Sequence, residues 1–241
     1  MPSKKLDPLE IVNLYEKLGV DNEQPTYKLQ DDMKITLPFN LNINGATGSK
    51  KTNLMLNTIQ MMNKWTTILA FIKNKNQPLY DKFIPAFEKA GGTITVSSDL
   101  ADLPNIEDVE DPKNTLVIFD DMLAERNLKQ VEDYFLRARN HGISLMFISQ
   151  KHMGKGGTPM MIRENSHYLF VKRPTREKGL KLMLEDYGLP KYALELHSIA
   201  TAKSEDFLMI DMRTSDPKLR IRHNFKPFPD ELIARLEIKE K

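Results

Sequence analysis

The ten residues Asn44-Gly45-Ala46-Thr47-Gly48-Ser49-Lys50-Lys51-Thr52-Asn53 constrain this chain more than any other stretch. They stand between the alternating run Leu37-Pro38-Phe39-Asn40-Leu41-Asn42-Ile43 and the helix-like run Leu54-Met55-Leu56-Asn57-Thr58-Ile59. That order predicts a strand, a tight glycine-containing turn, and a helix opening on Lys-Thr. A phosphate-binding P-loop has this layout: backbone N–H groups of the turn and of the helix start cradle phosphates, and a lysine neutralises them. Residues 45–53 are thus the candidate phosphate-binding set, with Lys51 as the phosphate lysine and Thr52 as a Mg²⁺ ligand through its hydroxyl. Gly45, Lys51 and Thr52 fall at the spacing G-x-x-x-x-G-K-[ST], but Lys50 stands where the motif has its second glycine. That glycine lets backbone approach phosphate with no Cβ in the way. Lys50 either adds a charge near the phosphates or crowds the loop. An ordinary turn before a basic helix start is the plain alternative, and the strand–turn–helix context argues against it.

The rest of the chain fits one α/β domain with appendages. Its 241 residues can bury a sizeable core without needing a second one. With 40% hydrophobic and 28% charged residues it has a globular balance. No apolar run approaches the roughly 18 residues that span a bilayer, and no secretory signal is visible at Met1-Pro2-Ser3-Lys4-Lys5. Cysteine is absent, which excludes disulfides, thiolate zinc sites and cysteine nucleophiles. A net charge of +2 excludes a strongly basic DNA-coating protein, so nucleic-acid contact would come from local patches.

Taken in order, Asp7-Pro8 followed by Leu9, Ile11, Val12, Leu14, Tyr15 and Leu18, with a stop at Gly19, predicts a capped helix in an N-terminal arm, residues 1–33. Short apolar runs at 66–72, 93–96, 115–121, 143–150 and 168–171 read as strands, with helices between them at 79–90 and from Leu128 onward. Residues 98–114 read as a surface connection. Alternation of this kind predicts a mostly parallel sheet with helices on both faces, a core over 34–173. An extension, 174–241, is expected to hold helices at 178–187, 191–202 and 230–237 and a hairpin of 207–212 with 219–222.

Ligands lie at the carboxyl ends of strands in such sheets, and there Asp120, Asp121 and Gln150 fall beside the P-loop. The run Thr115-Leu116-Val117-Ile118-Phe119-Asp120-Asp121 is what a Walker B strand needs. One carboxylate, Asp120, serves Mg²⁺, and a second, Asp121, orients or deprotonates the attacking water. A strand-end aspartate alone is weak, since many cap a loop; about 70 residues after a P-loop lysine it is stronger. Gln150 is a candidate sensor for the γ-phosphate or the water, against a plain turn-satisfying amide. Arg137, Arg139 and Arg163, with Arg126 behind them, are candidates for stabilising transition-state charge, while a surface ion pair is the ordinary role of any one arginine. The five histidines show no metal-ligand spacing, and the pairs Met61-Met62 and Met160-Met161 read as filler. Lys151-His152-Met153-Gly154-Lys155 is a basic loop suited to a DNA backbone or to solvent.

Four segments in series, Asp120–Leu123, Phe135–Ser144, Ile148-Ser149-Gln150 and Ile162–Ser166, resemble the genome-packaging ATPases of poxviruses, giant viruses and virophages, a branch of the FtsK–HerA superfamily. The resemblance spans about residues 37–173 and is greatest to the virophage members. It implies a P-loop NTPase of RecA-like type that uses ATP and Mg²⁺ to translocate double-stranded DNA into a preformed viral capsid. It further implies a homo-oligomeric ring, a pentamer or hexamer, acting at a capsid or portal-like vertex in the host cytoplasm or in association with the virion. On matched positions Lys51 and Thr52 hold phosphate and Mg²⁺, Asp120 partners the metal, Asp121 is catalytic, Gln150 is the sensor, and Arg137, Arg139 or Arg163 acts across a subunit interface. Lys50 departs from the pattern. Two other readings stay open: a P-loop small-molecule kinase, hinted at by Arg173 and Arg176, and a nucleotide-binding scaffold whose hydrolysis Lys50 has impaired.

Overall fold

A computed structural model describes residues 33–122, 128–150 and 158–239. All of the N-terminal arm except Met33, the basic loop 151–155 and Arg126 lie outside the described residues.

The first half alternates strand and helix as its sequence periodicity predicts: β1 (Asn40–Asn44), α1 (Lys51–Met62), β2 (Thr67–Ile72), α2 (Pro78–Lys89), β3 (Thr93–Ser97), β4 (Thr115–Asp120), α3 (Leu128–His141), β5 (Ser144–Ser149), α4 (Thr158–Glu164) and β6 (Tyr168–Val171). β1 begins at Asn40 rather than Leu37, in keeping with Pro38, which has no N–H to give a ladder. Residues 98–114 form three short 3₁₀ turns. Then follow α5 (Glu177–Asp186), α6 (Ala193–Ala200), β7 (Leu208–Asp211), the one-turn helix α7 (Pro217–Arg220), β8 (Ile221–His223), β9 (Lys226–Pro227) and α8 (Asp230–Lys239). The expected hairpin is present as the antiparallel pair β7–β8, with α7 in its connection; β9 had no signal in the sequence.

Among the described residues, nine strands form one sheet in the order β3-β2-β4-β5-β1-β6-β7-β8-β9. β1 to β6 run parallel, and β7, β8 and β9 add antiparallel strands to the same sheet. β4 and β5 are buried at every position, as central parallel strands covered on both faces must be. At the β3 edge, burial alternates instead.

α1 and α2 cover one face, where Leu54, Met55, Ile59 and Tyr80 pack on Leu41, Ile43, Ile68 and Ile118. On the other face α3 and α4 cover β4 and β5, while α5, α6 and α8 cover β6 and β7. Between those two apolar clusters β1 presents three buried asparagines, Asn40, Asn42 and Asn44. The Asn40 amide donates to Phe135 O and Asn165 O, and that of Asn44 donates to Ser149 Oγ, while Asn40 Oδ1 and Asn42 Oδ1 are buried with no hydrogen-bond partner among the described residues. Burial of the central strands fixes the carboxyl ends of β1, β4 and β5 side by side.

Candidate functional site

The turn after β1 is held tightly. Ala46 N donates to Arg173 O at 2.9 Å, and Ser49 N to Ala46 O at 3.1 Å. A Cβ on Gly45 would lie 2.6 Å from both Lys172 Cβ and Ser49 Oγ, so only glycine fits there. Gly48 takes a positive φ of 77°.

Lys50 is the residue that caps α1, with φ 62° and ψ 34°. This left-handed conformation is easy for glycine and costs an L-residue about 1–2 kcal/mol. Glycine at this motif position therefore has a backbone reason, and Lys50 adopts the same conformation against its preference. Its ammonium pairs with the Glu205 carboxylate and donates to Ser204 Oγ at 2.9 Å. Lys172 donates to the carbonyls of Ser204, Glu205 and Asp206, while Arg173 donates to those of Thr201 and Ala202. Three cations therefore fasten the turn 201–206 beside the P-loop.

Lys51, in the first turn of α1, donates to Gly45 O and Ala46 O, both at 2.9 Å. Burial draws this ammonium below its ordinary range, and the charges of Asp120 and Asp121 act in the opposite sense. Asp120 ends β4, buried. Its Oδ2 accepts from Tyr80 Oη at 2.6 Å and, weakly, from Thr52 Oγ1 at 3.5 Å. Burial holds the Asp120 carboxyl above its usual range; Asp121 adds to this, and the Tyr80 hydrogen bond and Lys51 oppose it. Asp121 follows with φ 61°, another left-handed residue, and its N–H donates to Ile148 O of β5. Its Oδ2 accepts from Gln150 Nε2 at 2.9 Å, and Gln150 Oε1 accepts from Thr47 Oγ1 at 2.7 Å. A hydrogen-bonded run Thr47–Gln150–Asp121 thus joins the P-loop to the ends of β4 and β5.

These groups line one cleft of about 420 Å³, with Thr47, Gly48, Lys50, Lys51, Thr52 and Asn53 on one side and Asp120, Asp121 and Gln150 on the other. Its donor set suits a phosphate with a hard cation. Thr52 and Asp120 offer oxygen ligands of the kind Mg²⁺ prefers. Ser49 Oγ is buried with no hydrogen-bond partner among the described residues. No cluster of three His, Asp or Glu side chains able to hold a metal occurs among those residues.

The three arginines do not join the cleft. α3 runs from the carboxyl end of β4 back to the amino end of β5, so Arg137 and Arg139 in its last two turns stand at the opposite edge of the sheet. Arg137 pairs with Glu107 and with Asp133 at 3.0 Å, and Arg139 is exposed. Arg163, in the last turn of α4, pairs with Asp186 at 3.5 Å. Within one chain none of them reaches Lys51.

Sequence reasoning missed Tyr80, Glu205, Lys172 and the backbone of Arg173. Tyr80 reads as one more apolar position of α2, and nothing in the sequence links residues 172–173 or 201–206 to a loop more than 120 positions earlier.

The fold is similar to solved structures. That of the genome packaging NTPase B204 from Sulfolobus turreted icosahedral virus 2, in complex with AMPPCP, matches with a TM-score of 0.51 at 14% identity, over 76% of this chain and 95% of that one. The flagellar accessory protein FlaH from Methanocaldococcus jannaschii matches at 0.41 and 14% identity, over 63% of this chain and 78% of that one. The RadB recombinase matches at 0.39 and 15% identity, over 64% and 84%. No family model matches the sequence, and no curated protein does. The first likeness shows the fold, an α/β P-loop NTPase core with a mostly parallel central sheet flanked by helices.

Proposed function

We propose that this chain binds Mg²⁺·ATP in the cleft at the ends of β1, β4 and β5 and hydrolyses it to drive double-stranded DNA into a viral capsid. The observation that carries the reading is the run Thr47–Gln150–Asp121 beside Lys51, Thr52 and Asp120. Its amide and carboxylate line the same cleft as Lys51 and would orient a water towards a phosphate bound there, which fits hydrolysis. Bound Mg²⁺ would be held by Thr52 and, through water, by Asp120, and would supply charge neutralisation at the phosphates. Lys51 would exchange its two carbonyl partners for phosphate oxygens. Gln150 would hold the water and Asp121 accept its proton. Gly45 and the amides of 46–53 would bind the phosphate chain.

The packaging role is supported by the ordered resemblance over residues 37–173 and by the likeness of fold to a protein described as a genome packaging NTPase. In that reading residues 34–173 are the motor core, 1–33 and 174–241 its appendages, and the chain works as a pentameric or hexameric ring at a capsid or portal-like vertex. Arg137, Arg139 or Arg163, on the far edge of the sheet, would serve a neighbouring subunit's cleft. The place of action would be the virus assembly site in the host cytoplasm, or the virion. No helix among the described residues is long and apolar enough to cross a membrane.

The test is steady-state ATP hydrolysis with and without double-stranded DNA, at rising salt. A motor that holds phosphates regardless of sequence gives DNA-stimulated turnover, equal on unrelated sequences and falling with salt. Transfer of phosphate to a nucleoside would instead favour the kinase. Binding without turnover would favour the scaffold.

A further inference from the structure

Asp120 is held from a direction that the motifs do not foresee. Tyr80 sits in the first turn of α2, 3% exposed, with its ring among the aliphatic side chains under α1 and α2. A phenylalanine would fill that space equally well, yet the ring carries a hydroxyl that reaches Asp120 Oδ2 at 2.6 Å. This is a shorter contact than Thr52 makes to the same oxygen, at 3.5 Å. The Tyr80 and Thr52 hydroxyls thus converge on one Asp120 oxygen. One side chain outside every motif therefore shares with Thr52 the carboxyl group suited to the cation. The geometry has local causes. Ile72 pairs with Asp120 across β2 and β4, Lys73 N donates to Asp120 O at 3.1 Å, and Pro78 then starts α2 beside the cleft. In the Tyr80–Asp120 contact the phenol is the donor and the carboxyl oxygen the acceptor.

We propose that Tyr80 is a positioning residue for the Mg²⁺ site: its hydroxyl fixes the orientation of the Asp120 carboxyl group, and so sets how tightly the nucleotide complex takes the cation. Both hydrogen bonds at this carboxyl end on Oδ2, so Oδ1 is left to the cation's water shell. Without the phenol, the Asp120 carboxyl group would keep only the weak Thr52 contact at 3.5 Å. Partners that orient a ligand in this way typically account for 10–100-fold of metal affinity or activity. The inference rests on the reading of the cleft as a Mg²⁺·ATP site.

The experiment compares the native chain, Tyr80→Phe, Asp120→Asn and the double variant. A fluorescent, non-hydrolysable ATP analogue is titrated in EDTA, and Mg²⁺ is then added to the protein–nucleotide complex. In Tyr80→Phe the affinity in EDTA should stay within about twofold of native, while the Mg²⁺ midpoint rises about tenfold. In the Asp120→Asn background the same change should add nothing further. An unmoved Mg²⁺ midpoint would overturn the inference. So would an equal loss of nucleotide with and without Mg²⁺, or a Tyr80→Phe chain unfolded at 25 °C, since the hydroxyl would then serve the fold. A native chain that binds no nucleotide in either condition would remove the Mg²⁺·ATP reading itself, a result distinct from the others.

Discussion

Replacing Lys50 separates backbone strain from phosphate chemistry. The left-handed conformation, φ 62° and ψ 34°, costs a lysine about 1–2 kcal/mol. Glycine avoids that but orders a freer chain, at about 0.5–1 kcal/mol. The Lys50–Glu205 pair lost with the side chain is about half exposed, 45% and 62%, and solvent screening leaves such a pair little weight. These terms nearly cancel. Lys50→Gly should leave unfolding stability within about 1 kcal/mol of native, a shift of at most about 4 °C in Tm. Lys50→Ala keeps the strain and loses the pair, so it should fall about 1 kcal/mol below Lys50→Gly. Urea unfolding of the three chains measures both differences. Because Glu205 and Ser204 hold the ammonium, ATP affinity in Lys50→Gly should stay within about threefold of native. A tightening of tenfold or more, about 1.4 kcal/mol, would refute this and show that the Lys50 side chain obstructs the cradle. A Lys50→Gly chain destabilised by more than about 2 kcal/mol would refute the strain argument, because relief of the left-handed lysine is part of the balance.

Two further outcomes follow from the same structure. Gly45→Ala places a Cβ 2.6 Å from Lys172 Cβ and Ser49 Oγ, and should lower stability by about 1–3 kcal/mol and weaken ATP binding, measured by thermal melts and titration. His167 is half-buried and accepts the Asn40 N–H at Nδ1, 2.8 Å; desolvation first, then Arg213 and Arg139, depress its pKa to about 3. Between the usual histidine value of about 6.5 and that folded value, the unfolded chain binds one proton more. Stability should therefore fall as pH drops through that window, and His167→Asn should flatten the fall in urea midpoints taken at pH 7, 5 and 4.

The sequence carried the core because its central strands are short apolar runs whose period and polar ends can be read directly. Thr115–Asp120, Ser144–Ser149 and Tyr168–Val171 are of this kind, and a parallel sheet then brings Lys51, Thr52, Asp120, Asp121 and Gln150 together by topology alone. β9 escaped notice because two residues, Lys226-Pro227, show no periodicity. Tyr80 and the turn 201–206 were illegible for a different reason. Their chemistry depends on rotamers and on contacts such as Lys50 with Glu205, 155 positions away, which spacing does not encode. The arginines are a separate case. The sequence suggested a role across a subunit interface, which a single chain does not test; α3 and α4 return to the amino edge of the sheet and carry Arg137, Arg139 and Arg163 with them.

The most direct test of the central claim is phosphate release from Mg²⁺·ATP by the native chain beside Lys51→Ala and Asp121→Asn. The account predicts turnover in the native chain, loss of both binding and turnover in Lys51→Ala, and retained binding with turnover at least about 100-fold lower in Asp121→Asn. Native-level turnover in Asp121→Asn, or ATP binding that survives Lys51→Ala unchanged, would contradict it.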